Sequence, residues 1–131
     1  MILGIDYGEK KTGLAVWYPE NDIVLPRKTI HHTSDKQLIS FLKKTVEEDD
    51  IQEIVLGKPI GLSGNETDQT RKTLEFKKEL EKSISIPVHL TDERLSTKQA
   101  QVFFDEKQTA DEDSLAACVI LETYIDKKSH Q

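Results

Sequence analysis

The chain has 131 residues, a length suited to one domain around one hydrophobic core. Its 36% hydrophobic and 32% charged residues argue against a disordered or membrane-embedded chain, and no apolar run nears the roughly 20 residues of a spanning helix. Twenty-four acidic against 18 basic residues leave a net charge of −6, which speaks against a strong non-specific grip on nucleic acid, because that grip comes from clustered Lys and Arg on phosphates. A nuclease stays admissible, since carboxylates that hold metal count as negative and are offset by the cations they bind.

The first residues, Ile2 to Tyr7, predict a strand that closes on a carboxylate, Asp6. Gly8 and Gly13 bracket a charged turn, and residues 13–18 predict a second strand, so the two form an antiparallel hairpin. A polar turn at 19–24 precedes a third strand near 25–31. Ser34-Asp35 opens a helix with Leu38, Ile39, Leu42 and Val46 on one face. The run Glu47-Glu48-Asp49-Asp50 opposes the negative end of the helix dipole and ends it. Residues 52–57 predict a buried strand. The glycine-rich loop from Gly57 to Asn65 leads to a helix opening between Asn65 and Thr70. Residues 84–90 predict the last strand, with Pro87 marking an edge or irregular position.

Ser96 and Gln99 have capping-box spacing, and Ala100, Phe103 and Phe104 share one helical face behind them. The final helix starts near Asp111-Glu112-Asp113 and is apolar almost all round from Leu115 to Leu121, which predicts burial; Lys127 and Lys128 suit its C-terminal end. The order β-β-β-α-β-α-β-α-α predicts an α/β domain over residues 1–131, a five-stranded mixed sheet with helices on both faces. The single cysteine, Cys118, falls in the apolar helix and makes no internal disulfide, as in a reducing cytoplasm. The opening apolar run is too short for a signal peptide. None of the four histidines has metal-ligand spacing, and all read as surface or strand residues; Trp17, Phe41, Phe76, Phe103 and Phe104 read as core.

Three carboxylates stand at element ends: Asp6, Glu93 and Asp113. Sites in open α/β sheets gather beyond the carboxyl ends of the strands, where Asp6 and Glu93 arrive, and Asp113 joins them if the last helix starts toward that edge. Converging carboxylates repel one another unless a cation sits between them, and hard oxygen donors select Mg²⁺ or Mn²⁺ over Zn²⁺. Two such ions roughly 4 Å apart activate water and orient a scissile phosphate. Taken singly, each acid has a plainer account as a turn former, cap or dipole complement. Spacing alone does not choose among Asp111, Glu112 and Asp113. Lys10 and Lys11 are either phosphate contacts or a solvated turn; Lys58, beside the N-terminus of a helix, is either part of a phosphate site or of a connecting loop. Arg94 is either a substrate contact or a structural ion-pair partner of Glu93.

Four stretches change this balance. Residues Gly4-Ile5-Asp6-Tyr7-Gly8-Glu9-Lys10-Lys11-Thr12-Gly13-Leu14-Ala15 resemble the first motif of the YqgF-type family, whose members are described as Holliday junction resolvases or pre-16S ribosomal RNA nucleases. Val55-Leu56-Gly57-Lys58-Pro59, continuing through Gly64, resembles the family's loop after its fourth strand. Thr91-Asp92-Glu93-Arg94-Leu95-Ser96-Thr97 resembles its Asp-Glu-Arg-Leu motif, and Asp113-Ser114-Leu115-Ala116-Ala117, ending in Leu121-Glu122-Thr123-Tyr124, its closing helix.

The resemblance implies a ribonuclease H-like fold, metal-binding acids at Asp6, Glu93 and Asp113, and a cytoplasmic role in processing the 5′ end of 16S ribosomal RNA; monomer and homodimer both stay open, since junction cutting needs a dimer and RNA trimming does not. Two departures bear on substrate. Lys11 stands where many members carry Arg, which keeps charge but loses bidentate phosphate geometry. The stretch Phe104 to Glu112 is acidic apart from Lys107, where many members have a basic loop, which weighs against branched DNA.

Two other classes compete. Gly4 to Gly8 with Thr12-Gly13 resembles the phosphate-binding strand turn of actin-like and sugar-kinase-like ATPases, but those enzymes need two such domains and this chain is too short. A non-catalytic RNA-binding factor in ribosome assembly would keep the fold without depending on metal, and the net charge of −6 favours it.

Overall fold

The computed structural model describes residues 1–60, 64–93 and 112–129. Side-chain alternation along the first strand sorts the molecule into two layers. In β1 (Ile2–Asp6), Leu3 and Ile5 enter one buried cluster while Ile2 enters another on the opposite face. β2 (Lys11–Tyr18) pairs antiparallel with β1, from Ile2–Trp17 to Asp6–Gly13, and repeats the division: Leu14 and Val16 go one way, Ala15 the other. β3 (Ile23–Pro26) continues the meander, and a two-residue strand, β4 (Ile30–His31), pairs with the start of β2.

β5 (Glu53–Pro59) runs parallel to β1, and β6 (Val88–Glu93) runs parallel to β5. The sheet order is β3-β2-β1-β5-β6. The described helices divide between its faces. α1 (Asp35–Glu48) and α2 (Asp68–Ser83) bury Leu38, Leu42, Phe76 and Leu80 against Leu3, Ile5, Leu14, Val16, Ile54 and Leu56. α3 (Glu112–Ser129) covers the other face, with Ala117, Cys118, Ile120 and Leu121 packed on Ile2, Ala15, Val24 and Val55. Each fully buried large aliphatic contributes on the order of 1.5–3 kcal/mol.

The helix starts follow from their capping residues. Ser34 accepts the Gln37 amide at 3.2 Å, satisfying an otherwise orphaned donor of α1. Thr67 and Thr70 satisfy each other's amides in a capping box that opens α2. The expected mixed sheet with helices on both faces is present, and β4 makes the strands among the described residues six rather than five. The expected third strand splits because Pro26 ends β3 and the chain then crosses to the start of β2.

Two boundaries move. β2 begins at Lys11, so Lys11 and Thr12 are ladder residues rather than turn. β6 begins after Pro87 and runs to Glu93, because Pro87 lies outside the ladder and lends it only a carbonyl, which accepts the Ile54 amide at 3.0 Å. Phe41 is exposed rather than core, and His32 is buried rather than on the surface. The expected helix after Ser96, with Phe103 and Phe104, lies outside the described residues. No helix among the described residues is long and apolar enough to cross a membrane.

Candidate functional site

Asp6 is the last residue of β1, and its antiparallel partner is Gly13. Such partners sit roughly 5 Å apart at Cα. Gly13 in turn lies directly under the first turn of α3: a Cβ on Gly13 would overlap the Asp113 carbonyl. The missing side chain therefore lets the helix start touch the sheet at the level of Asp6. This contact joins residues 13 and 113, which are 100 positions apart in the chain.

The helix start is fixed from its other side as well. Ser114, buried, donates to the Arg27 carbonyl and shares a hydrogen bond with Thr29 at 3.0 Å. The Asp113 carboxylate is partly exposed, and its Oδ2 lies 3.2 Å from the Lys11 ammonium.

Asp6 is held from behind by the residue that follows it. Tyr7 is buried, stacks on Phe76 with centroids 4.3 Å apart, and donates its hydroxyl to Asp35 at 2.5 Å. Burial and the Asp35 carboxylate push the Tyr7 phenol well above its ordinary range, so it stays a protonated donor. Gln69 of α2 donates to the Tyr7 carbonyl at 3.3 Å.

The turn from Gly8 to Lys11 is equally pinned. A Cβ on Gly8 would overlap the Lys11 carbonyl, so the tightness of this turn requires glycine. The buried Thr12 hydroxyl accepts the Gly8 amide at 3.3 Å and lies 2.8 Å from Nε2 of His32. The His32 amide donates to the Lys10 carbonyl at 2.9 Å. Burial pushes the His32 imidazole below its ordinary pKa.

Glu93 ends β6, opposite Pro59 in the parallel register. Earlier in the same strand, His89 stacks on Tyr124 of α3. Glu93 holds the last register position of β6, two strands or roughly 10 Å across from β1. Among the described residues, no three His, Cys, Asp or Glu side chains form a ready cation site.

The basic residues proposed from sequence separate. Lys11 sits on Asp113, while Lys10 is exposed in the adjoining turn. Lys58 lies farther along β5 and pairs with Glu66 at 3.7 Å. At the start of α2 the Thr67 and Thr70 amides are engaged by the capping box. Arg94 lies outside the described residues, as does Asp111. Thr12, Thr29, His32 and Ser114 carry no chemistry that sequence spacing flags. Their importance comes from β4 pairing with β2, a two-residue ladder without periodicity of its own.

The fold so described is ribonuclease H-like. It is similar to Thermus thermophilus RuvC, with a TM-score of 0.65 over 97% of this chain and 96% of that one at 10% identity. It is also similar to the Fowlpox virus resolvase solved with Holliday junction DNA, with a TM-score of 0.59 over 96% and 97% of the two chains at 13% identity. The model of the RuvX family, described as Holliday junction resolvase, matches residues 1–127, and the chain belongs to that family. Among curated relatives, one from Rickettsia felis is 38% identical over 95% of this chain and 85% of its own length, and one from Rickettsia bellii is 38% identical over 95% and 84%. Both bear the name "Putative pre-16S rRNA nuclease".

Proposed function

We propose that the chain is a metal-dependent endonuclease that hydrolyses nucleic-acid phosphodiesters, acting on the 5′ end of pre-16S ribosomal RNA. Asp6, Glu93 and Asp113 hold Mg²⁺ or Mn²⁺. The observation that carries this reading is the contact of Asp113 with Gly13, which gathers two chain-distant acids at one end of β1. The donor set fits a hard divalent cation, since its ligands are carboxylate oxygens. A cation of the protein's own, the Lys11 ammonium, already stands on one of them, so the Asp113 carboxylate is open to positive charge.

The bound metal supplies an activated water and charge neutralisation at the scissile phosphate. The protein's residues do the rest. Ser114 and Tyr7 hold the backbone beside Asp113 and Asp6. Lys10 and Lys11 contact phosphate at the edge of the site, with Lys58 and Arg94 as more distant contacts. The names borne by the relatives support ribosomal RNA as the substrate class and hence a cytoplasmic site of action. The family's description as Holliday junction resolvase supports branched DNA as the second reading. That reading requires two copies of the chain, so that both strands are cut, whereas trimming RNA needs one.

The test uses a 5′-extended 16S precursor RNA and a four-way DNA junction, each with Mn²⁺ and with chelator. Cleavage of the RNA is expected with Mn²⁺ only. It should fall at least about a hundredfold in Asp6→Asn, Glu93→Gln and Asp113→Asn, all of them folded. Activity that survives in all three variants removes these acids from the chemistry. Binding of ribosomal precursor without cleavage, unaffected by Asp6→Asn, makes the chain a non-catalytic assembly factor instead.

A further inference from the structure

Lys11 and Asp113 form a pair whose two backbones cannot follow each other. Lys11 is laddered to His31, and the neighbouring Thr12 is clamped by His32. Asp113 is pressed on Gly13, and Ser114 is tied to Thr29 and the Arg27 carbonyl. Between these fixed points the Lys11 side chain, 58% exposed, has more room to rearrange than the Asp113 carboxylate, 28% exposed.

A carboxylate so placed can be neutralised by the ammonium or by an arriving divalent cation. The two positive charges repel each other if both are held there. We infer that Lys11 is a built-in counter-ion that occupies Asp113 until a divalent cation displaces it, and that displacement hands its ammonium to the substrate phosphate. This rests on the metal-dependent reading above. It makes Lys11 a positioning residue that couples metal uptake to phosphate binding. A pair this exposed adds little to fold stability, so removing Lys11 should leave the protein folded.

The distinguishing measurement is Mn²⁺ affinity by calorimetry on the full chain in low salt. Lys11→Met should bind Mn²⁺ about fivefold more tightly than the unaltered protein, because the competitor and its repulsion are gone. Its turnover at saturating Mn²⁺ should nevertheless fall about tenfold. Lys11→Arg, which keeps the charge, should retain the original Mn²⁺ affinity. A second arm measures binding of the precursor RNA in chelator. Asp113→Asn frees Lys11 and should bind RNA about threefold more tightly than the unaltered protein. That gain should vanish in Lys11→Met/Asp113→Asn.

Unchanged or weaker Mn²⁺ binding in Lys11→Met, where the unaltered protein binds the ion, overturns the counter-ion role and leaves the metal reading standing. A gain in RNA binding that persists without Lys11 overturns the handover of its ammonium. If the unaltered protein takes up no Mn²⁺ at all, the metal reading falls and this inference with it.

Discussion

The two faces of the sheet are built by opposite means. Toward α1 and α2 the strands present Leu3, Ile5, Leu14, Val16, Ile54 and Leu56, which interlock with Leu38, Leu42, Phe76 and Leu80. Toward α3 they present Ile2, Val24 and Val55 and, among these, the small residues Gly4, Gly13 and Ala15; the helix answers with Ile120 and Leu121 beside Ala117 and Cys118. Bulk on the first face supplies stability. On the second, the glycines at positions 4 and 13 allow a close approach, and at Gly13 it brings the Asp113 backbone onto the strand pair that carries Asp6. Lost packing on the first face should therefore disturb the proposed site less than a single carbon added at Gly13 on the second.

Four substitutions sharpen this contrast, in descending order of expected effect on stability. Phe76→Ala empties a buried position stacked on Tyr7 and should cost about 3–5 kcal/mol in denaturant unfolding. Well below its lowered melting temperature it should still cleave precursor RNA within about tenfold of the unaltered rate, because the α3 contact is intact; complete inactivity there would erase the distinction between the faces.

Gly13→Ala puts a Cβ into the Asp113 carbonyl and forces α3 away, at about 2–3 kcal/mol. Here cleavage should drop about a hundredfold, out of proportion to the stability lost, since a displacement near 1 Å suffices to spoil a positioned group. A fully active Gly13→Ala protein would show that the close approach has no part in the site. Ser114→Ala removes the tie to Thr29 and the Arg27 carbonyl and should cost about 1–2 kcal/mol, with a severalfold loss of cleavage.

The smallest effect is a pH dependence. Burial keeps His32 neutral by holding its pKa below the ordinary 6.5, against the pull of the Asp35 carboxylate and with a minor push from His31. The unfolded chain takes up that proton first as pH falls. The stability due to neutral His32 is therefore complete above the unfolded pKa and is lost as pH drops through 6.5 toward the folded value. Melting scans from about pH 8 to about pH 5.5 should show the unaltered protein losing a few more degrees than His32→Gln. Parallel curves would mean that His32 does not titrate differently on folding.

Much of the fold was legible because its signals are local. The apolar runs of β1, β2 and β5, the helical spacing of Leu38 and Leu42, the cap at Ser34 and the all-round apolar stretch of α3 each report a nearest-neighbour preference. The misplaced start of β2 and the misread His32 have a common cause: β4 is two residues long, and Lys11, Thr12 and His32 are ordered or buried through pairing with partners some 20 positions away. Likewise Phe41, apolar and on a helix, reads as core until the sheet leaves it outside.

The amino-acid order by itself determined the element types, the positions of Asp6 and Asp113 at element ends, and the motifs by which family membership is recognised, since all of these are encoded in short stretches. Only the tertiary structure decided that Gly13 is the seat for α3, that Ser114 moors the helix start, and that Lys11 stands on Asp113. Those facts depend on which chain-distant backbones touch, and packing, not local preference, settles that.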